Sequence, residues 1–172
     1  MPSDIYVKLI GSYDYFRRII MDISSIISKD IIFMNLKAES REDVIRLIID
    51  GMDKSGLISD KDKYFDAVNE REKKGTTGIG FGVAIPHGKS DGVIKPCISF
   101  AKLEKPLEWA SFDGQPVKSV FMIGVPSANA GNDHLKILIA ISKKLMHEDF
   151  RKALDDAKTP DDVLDVLKAI EA

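Results

Sequence analysis

The run Gly75–Lys89, GTTGIGFGVAIPHGK, constrains this chain more than any other stretch. Glycine-rich backbone leads into a short apolar segment that ends in Pro86-His87. Glycines lack a Cβ, so another backbone or a phosphate can approach closely. Proline fixes φ and cannot donate to a ladder, so a strand over Val83–Ile85 should stop at Pro86. His87 is then displayed at a strand end on a stiff support, a sensible mounting for a histidine that partners must reach. The same pattern also describes a tight turn whose histidine faces solvent.

The flanking segments alternate between helical and strand periodicity. Ser40 is the expected N-cap of a helix whose stripe is Val44, Ile45, Leu47 and Ile48, ending at Gly51 or Gly56. Ser59 is expected to cap a second helix through about Lys74, with Tyr64, Phe65 and Val68 inward and Gly75 as the stop. Strands are expected over Val83–Ile85, Cys97–Leu103 and Val117–Val125. The last contains VFMIGV, almost wholly apolar, as in a strand covered on both faces. A helix from about Asn132 to Met146 and a short one from Glu148 to Ala157 follow. Thr159-Pro160 supplies an N-cap and a proline at N1 for a final helix to Ala169. Strands interleaved with helices imply an α/β sandwich around a largely buried sheet.

Composition narrows the functional classes. A chain of 172 residues, 44% hydrophobic, suffices for one domain with a real core. The net charge of −2 is spread without a basic stripe, which argues against nucleic acid as a partner. No apolar run reaches the ~20 residues needed to span a bilayer. The start of the chain lacks the layout of a signal peptide. The single cysteine, Cys97, excludes an internal disulfide and suits a reducing cytoplasm. Cys97 sits mid-strand and reads as a small core residue. Three scattered histidines give no metal signature, and the absence of GxxxxGK[ST] argues against ATP as a phosphoryl donor. No cofactor is expected.

The string TGIGFGVAIPHGK resembles the signature of the enzyme IIA domain of the phosphoenolpyruvate-dependent sugar phosphotransferase system, fructose/mannitol class (type 2). NEREKKGTTGIG, FDGQPVKSVFMIGVP and NDHLKILIAISKKL match the same family in the same order, so the resemblance covers roughly Ile23 to Ala169. It implies an α/β three-layer sandwich, a mixed central β-sheet with helices on both sides. It also implies a cytoplasmic phosphotransferase component that works through a phosphohistidine. Phosphate would pass from the phosphocarrier HPr to His87, and on to a cysteine of enzyme IIB during sugar import. LEWASFDGQPV and NDHLK look fructose-type. A nitrogen-related regulatory enzyme IIA, which signals by phosphorylation-dependent binding, is the alternative, and an unrelated phosphate-binding domain is a weaker third. Residues 1–22 precede the resemblance and are read as an N-terminal extension, with residues 23–172 as the enzyme IIA domain. Tyr6, Tyr13, Tyr15 and Phe16 suggest that the extension packs on something.

By the same resemblance, His134 is a second active-site histidine and Arg71 an upstream arginine. A helix N-terminus offers free N–H groups and partial positive charge to an anion, and His134 should lie near one. A guanidinium can contact a phosphoryl group with two donors, though Arg71 in NEREKK also fits a solvated surface residue. Thr76 and Thr77 are candidate phosphate neighbours, or stabilisers of the turn. Phe81 and Ile79, set between glycines, are candidate partner-binding residues, with burial in the core as the alternative. His87 needs one unprotonated ring nitrogen and an acceptor for the other. A backbone carbonyl in the loop from Gly88 to Gly92 is the expected acceptor.

Overall fold

The computed structural model describes residue 23, residues 25–129 and residues 133–168, the side chains of Asp133 and His134 excepted. The expected extension over residues 1–22 lies outside the described residues. Six strands form one sheet: β1 (Ile32–Leu36), β2 (Gly78–Gly80), β3 (Val83–Ala84), β4 (His87–Ser90), β5 (Cys97–Leu107) and β6 (Val117–Pro126). Five α-helices are described: α1 (Arg41–Lys54), α2 (Lys61–Lys73), α3 (Asp133–Leu145), α4 (Glu148–Asp156) and α5 (Pro160–Lys168).

The strand order is β1-β5-β6-β3-β2, with β4 also on β6. β6 runs antiparallel to β5 and parallel to β3 and β4, while β1 is parallel to β5 and β2 antiparallel to β3. The sheet is therefore mixed. β6 is buried along nearly its whole length because its two faces meet two different cores. Phe121, Ile123 and Val125 face one cluster with Ile98 and Phe100, and Ile137, Ile141, Leu145, Leu154, Val163 and Leu167 of α3, α4 and α5 complete it. Val120 and Met122 face the other, with Val44, Ile45, Ile48, Tyr64 and Val68 of α1 and α2. Helices thus cover both sides of the sheet, a three-layer α/β sandwich. Full burial of each Val, Ile or Phe contributes about 1.5–3 kcal/mol.

Several boundaries follow the expected chemistry. Ser40 caps α1, its Oγ accepting from the Asp43 N–H at 3.1 Å. Thr159 and Asp162 form a reciprocal cap on α5, with Pro160 at N1. Other boundaries differ. Asp60, not Ser59, caps α2, because its carboxylate accepts from the Lys63 N–H, while the Ser59 hydroxyl donates to the Asp91 carbonyl. Gly51 lies inside α1, where a Cβ would sit 2.1 Å from the Phe33 ring, and the chain turns at Gly56 instead. β1, β2 and β4 were not expected from periodicity, since each is too short to show a pattern.

Lys102 ties the sheet to a helix end. Its Nζ donates to the carbonyls of Leu154, Asp155 and Ala157 at 3.5, 2.5 and 2.9 Å, satisfying the C-terminus of α4. Lys102→Met should keep the aliphatic packing and lose these bonds. The expected cost is about 1.5–3 kcal/mol, the range for hydrogen bonds to a charged group. Urea unfolding checks this, and an unchanged midpoint would show that the bonds contribute nothing net.

Candidate functional site

Pro86 interrupts the sheet without ending it. β3 stops at Ala84, and β4 resumes at His87 along the same neighbour, with His87 opposite Ile123 of β6. His87 is therefore not at a free strand end, as its position after a proline suggested. The Pro86 carbonyl accepts from the Ile123 N–H at 3.0 Å, so the strand keeps its register although proline has no donor of its own. His87 shares a face with Ile123, the side covered by α3–α5. Its neighbour Gly88 faces α2, where a Cβ would lie 3.1 Å from the Val68 backbone nitrogen. A side chain there would be tight against α2, and the approaching backbone is the protein's own. Alternation along the strand then sends the His87 ring to the opposite face.

His87 is 7% exposed. Its Nδ1 lies 2.9 Å from the Ile85 carbonyl oxygen. A carbonyl only accepts, so this hydrogen bond needs the proton on Nδ1, and the neutral tautomer that makes it has its lone pair on Nε2. The acceptor lies two residues before the histidine, not in the segment after it, because Gly88–Ser90 is strand and pairs with β6. The Ile85 N–H in turn donates to the Thr77 carbonyl at 2.9 Å. The segment before the histidine is thus bonded back to the end of the glycine-rich loop.

That loop starts where α2 stops. Arg71, in the last turn of α2, donates from Nη1 to the Gly75 carbonyl at 2.8 Å. The Thr76 hydroxyl donates to the Trp109 carbonyl at 2.9 Å and accepts from the Gly78 N–H at 3.0 Å. Thr77 is buried, its hydroxyl donating to Glu72 Oε1 and its N–H lying 3.4 Å from Glu72 Oε2. Both threonines stabilise the turn. Glu72 is a residue that sequence reasoning passed over, since a glutamate in NEREKK looks like any solvated charge. The residue's place in α2 beside buried Val68 was the available signal.

The hairpin tip between β2 and β3 is Phe81-Gly82, with φ of 58° and 72°. Positive φ at both central residues is the signature of the tight type I′ hairpin. A bulky residue there is strained. The Phe81 N–H donates to Asp113 Oδ2 at 3.0 Å, and the Arg151 guanidinium of α4 lies 4.2 Å over its ring. Phe81 is 49% exposed, whereas Ile79 is partly buried against the α3–α5 core. The described part of α3 begins at Asp133, with His134 next in it. The side chain of His134 lies outside the described parts of the structure. His147 is exposed at the N-cap of α4, and Cys97 is buried, its thiol pushed up to about 12 by burial. No helix among the described residues is long and apolar enough to cross a membrane.

Comparison with known proteins gives a consistent match. A family model for the phosphoenolpyruvate-dependent sugar phosphotransferase system, EIIA 2, matches residues 25–170. A fructose-specific EIIA component from Haloferax volcanii is 40% identical over 151 residues, 88% of this chain and 97% of that protein. A fructose-specific EIIABC component from Bacillus subtilis is 37% identical over 86% of this chain, which spans only 23% of that longer protein. In three dimensions the chain is similar to nitrogen regulatory protein IIA-Ntr from Neisseria meningitidis. The TM-score is 0.76 at 29% identity, covering 84% of this chain and 98% of that one.

Phe81→Gly should relieve the strained φ and lose the ring contact with Arg151. A strained residue costs about 1–3 kcal/mol and a cation–π contact contributes about 0.5–1 kcal/mol, so stability should change little or rise. Urea denaturation measures it. A loss above about 3 kcal/mol would mean that Phe81 packs as a core residue.

Proposed function

The chain belongs to the type 2 enzyme IIA family of the phosphoenolpyruvate-dependent sugar phosphotransferase system, and we propose that it carries phosphate on His87 between phospho-HPr and enzyme IIB. The family is a phosphotransferase component, and the phosphohistidine step is the reading of this site. The hydrogen bond from Nδ1 to the Ile85 carbonyl carries the proposal. It aims the proton away from the reacting nitrogen and fixes the ring, which is the preparation a nucleophilic imidazole needs.

In the proposed step, the Nε2 lone pair attacks the phosphorus of phospho-HPr. The new bond is Nε2–P, and the donor's N–P bond breaks with its electron pair returning to the donor imidazole. The second transfer repeats this in reverse sense, with the enzyme IIB thiolate as nucleophile and His87 as leaving group. Little covalent chemistry falls to other residues. Their work is positioning and stabilisation of charge on the equatorial oxygens. His134, at the start of the described part of α3, is proposed to donate to a phosphoryl oxygen beside the helix N-terminus. Arg71 is proposed to contribute positive charge from the end of α2. Thr76 and Thr77 stand beside the phosphoryl site in this reading and shape its loop. Phe81, exposed at the hairpin tip, is proposed as a partner contact, with Ile79 supporting it from below.

Sugar import with fructose-type specificity is the preferred context, supported by the 40% identical fructose-specific relative. The regulatory alternative is supported by the likeness to a nitrogen regulatory protein. Transfer from His87 to enzyme IIB favours import. Phosphorylation with no transfer to enzyme IIB favours regulation.

His87→Ala should abolish phosphate uptake and leave the fold intact. Wild type and variant are incubated with phosphoenolpyruvate, enzyme I and HPr, and acid-labile label is compared. Label retained by a folded variant would refute His87 as the acceptor. His134→Ala should still accept some phosphate but transfer it poorly, by analogy with lost oxyanion donors worth about 2–4 kcal/mol in the transition state. Unchanged transfer rates would remove His134 from the site. Phe81→Ser should weaken HPr binding with little change in melting temperature, and normal binding would remove Phe81 from the docking surface.

A further inference from the structure

Glu72 is, among the described residues, the one buried Asp or Glu, at 5% exposure. A carboxylate withdrawn from water is costly unless its oxygens are paired. Thr77 provides the pairing, through its hydroxyl to Oε1 and its N–H to Oε2 at 3.4 Å. The Arg41 guanidinium adds a looser contact at 3.8 Å, from a side chain itself 37% exposed. Fastening a helix end to a loop needs less than a buried charge: the Arg71–Gly75 bond alone already does so.

The bonds continue beyond Thr77. The Thr77 carbonyl accepts from the Ile85 N–H at 2.9 Å, and the Ile85 carbonyl accepts from His87 Nδ1 at 2.9 Å. A connected series thus runs from Glu72 through Thr77 and Ile85 to the imidazole. Each link fixes the residue that makes the next. We propose that Glu72 is a positioning residue for His87: it anchors Thr77, which holds the Ile85 segment whose carbonyl keeps the imidazole in the Nδ1–H form with Nε2 ready to attack. Glu72 touches neither the ring nor an incoming phosphate. The inference rests on His87 being the phosphoryl acceptor.

Its reach can be measured separately from that assignment. Glu72→Met removes both acceptors at similar volume, and Thr77→Val removes the hydroxyl. Glu72→Gln and Thr77→Ser each retain a bonding group. Long-range nitrogen–proton NMR of the imidazole reports the His87 tautomer without any phosphate present. Phosphate uptake from phospho-HPr reports the rate constant and the KM. Glu72→Met should lower the rate constant about ten- to a hundredfold, the scale of a misplaced reacting group. The tautomer should become mixed, and KM for phospho-HPr should stay within about twofold because the docking surface is untouched. Thr77→Val should move both readouts in the same direction and less far. Glu72→Gln and Thr77→Ser should recover most of the rate. If Glu72→Met does not fold, Thr77→Val decides. A folded loss variant with the wild-type tautomer and rate overturns the proposal. A wild type that takes up no phosphate, together with a tautomer that shifts in Glu72→Met, would sink the functional reading and leave the positioning role standing.

Discussion

β6 has side chains buried on both of its faces and hydrogen-bonded partners on both of its edges, and the other strands take their places from it. β5 lies on one edge, and β3 and β4 share the other in turn. Such a strand can use apolar side chains at successive positions, because a helical layer covers each face. Val120 and Met122 belong to the α1–α2 side, while Phe121, Ile123 and Val125 belong to the α3–α5 side. His87 inherits its orientation from this strand. His87 pairs with Ile123, so its ring must point where Ile123 points.

Pro86 has a positive use in that arrangement. A residue with no N–H breaks the continuity of the strand for a short stretch, and β3 and β4 pair with β6 on either side of it. In that gap the Ile85 carbonyl is available to the side chain of His87, two residues further on. The local break therefore supplies the acceptor that sets the tautomer. The flanking pairings hold the break in place. A histidine on a flexible loop would have neither the fixed ring nor the fixed proton.

The glycine-rich loop is held by contacts that cross the fold. Thr76 bonds to the Trp109 carbonyl, Phe81 to the Asp113 carboxylate, and Arg151 of α4 stacks on the Phe81 ring. Backbone N–H groups of Gln115 and Phe81 hold the Asp113 carboxyl below its usual range. The tip is strained yet anchored, and strain survives only where the surroundings over-determine the conformation. An exposed aromatic on such a tip is already ordered before anything contacts it.

The α/β class, the five described helices and the long β5 and β6 were legible in the sequence. Each is written in local chemistry: caps such as Ser40 and Thr159, and apolar periodicity. The short strands β1, β2 and β4 were not, because three to five residues such as Gly78–Gly80 or Ile32–Leu36 show no period, and only the neighbouring strand makes them strands. Pro86 predicted an end to pairing, which is a local rule; β6 on the far side of the break restored it. The exchange of Ser59 for Asp60 at the N-cap of α2 was decided by where Gly92 brings the chain, since its carbonyl accepts from the N–H groups of both residues. Glu72 is the clearest case. In sequence it is one charge among several, and its neighbours in the helix, Arg71 and Lys73, are polar too. The fold turns its side chain inward toward Thr77, five residues on, and burial makes that contact consequential. Residue type and spacing determined what this chain could do; the closing of the sheet around β6 decided which atoms do it, because hydrogen-bond partners and desolvation exist only once distant segments meet.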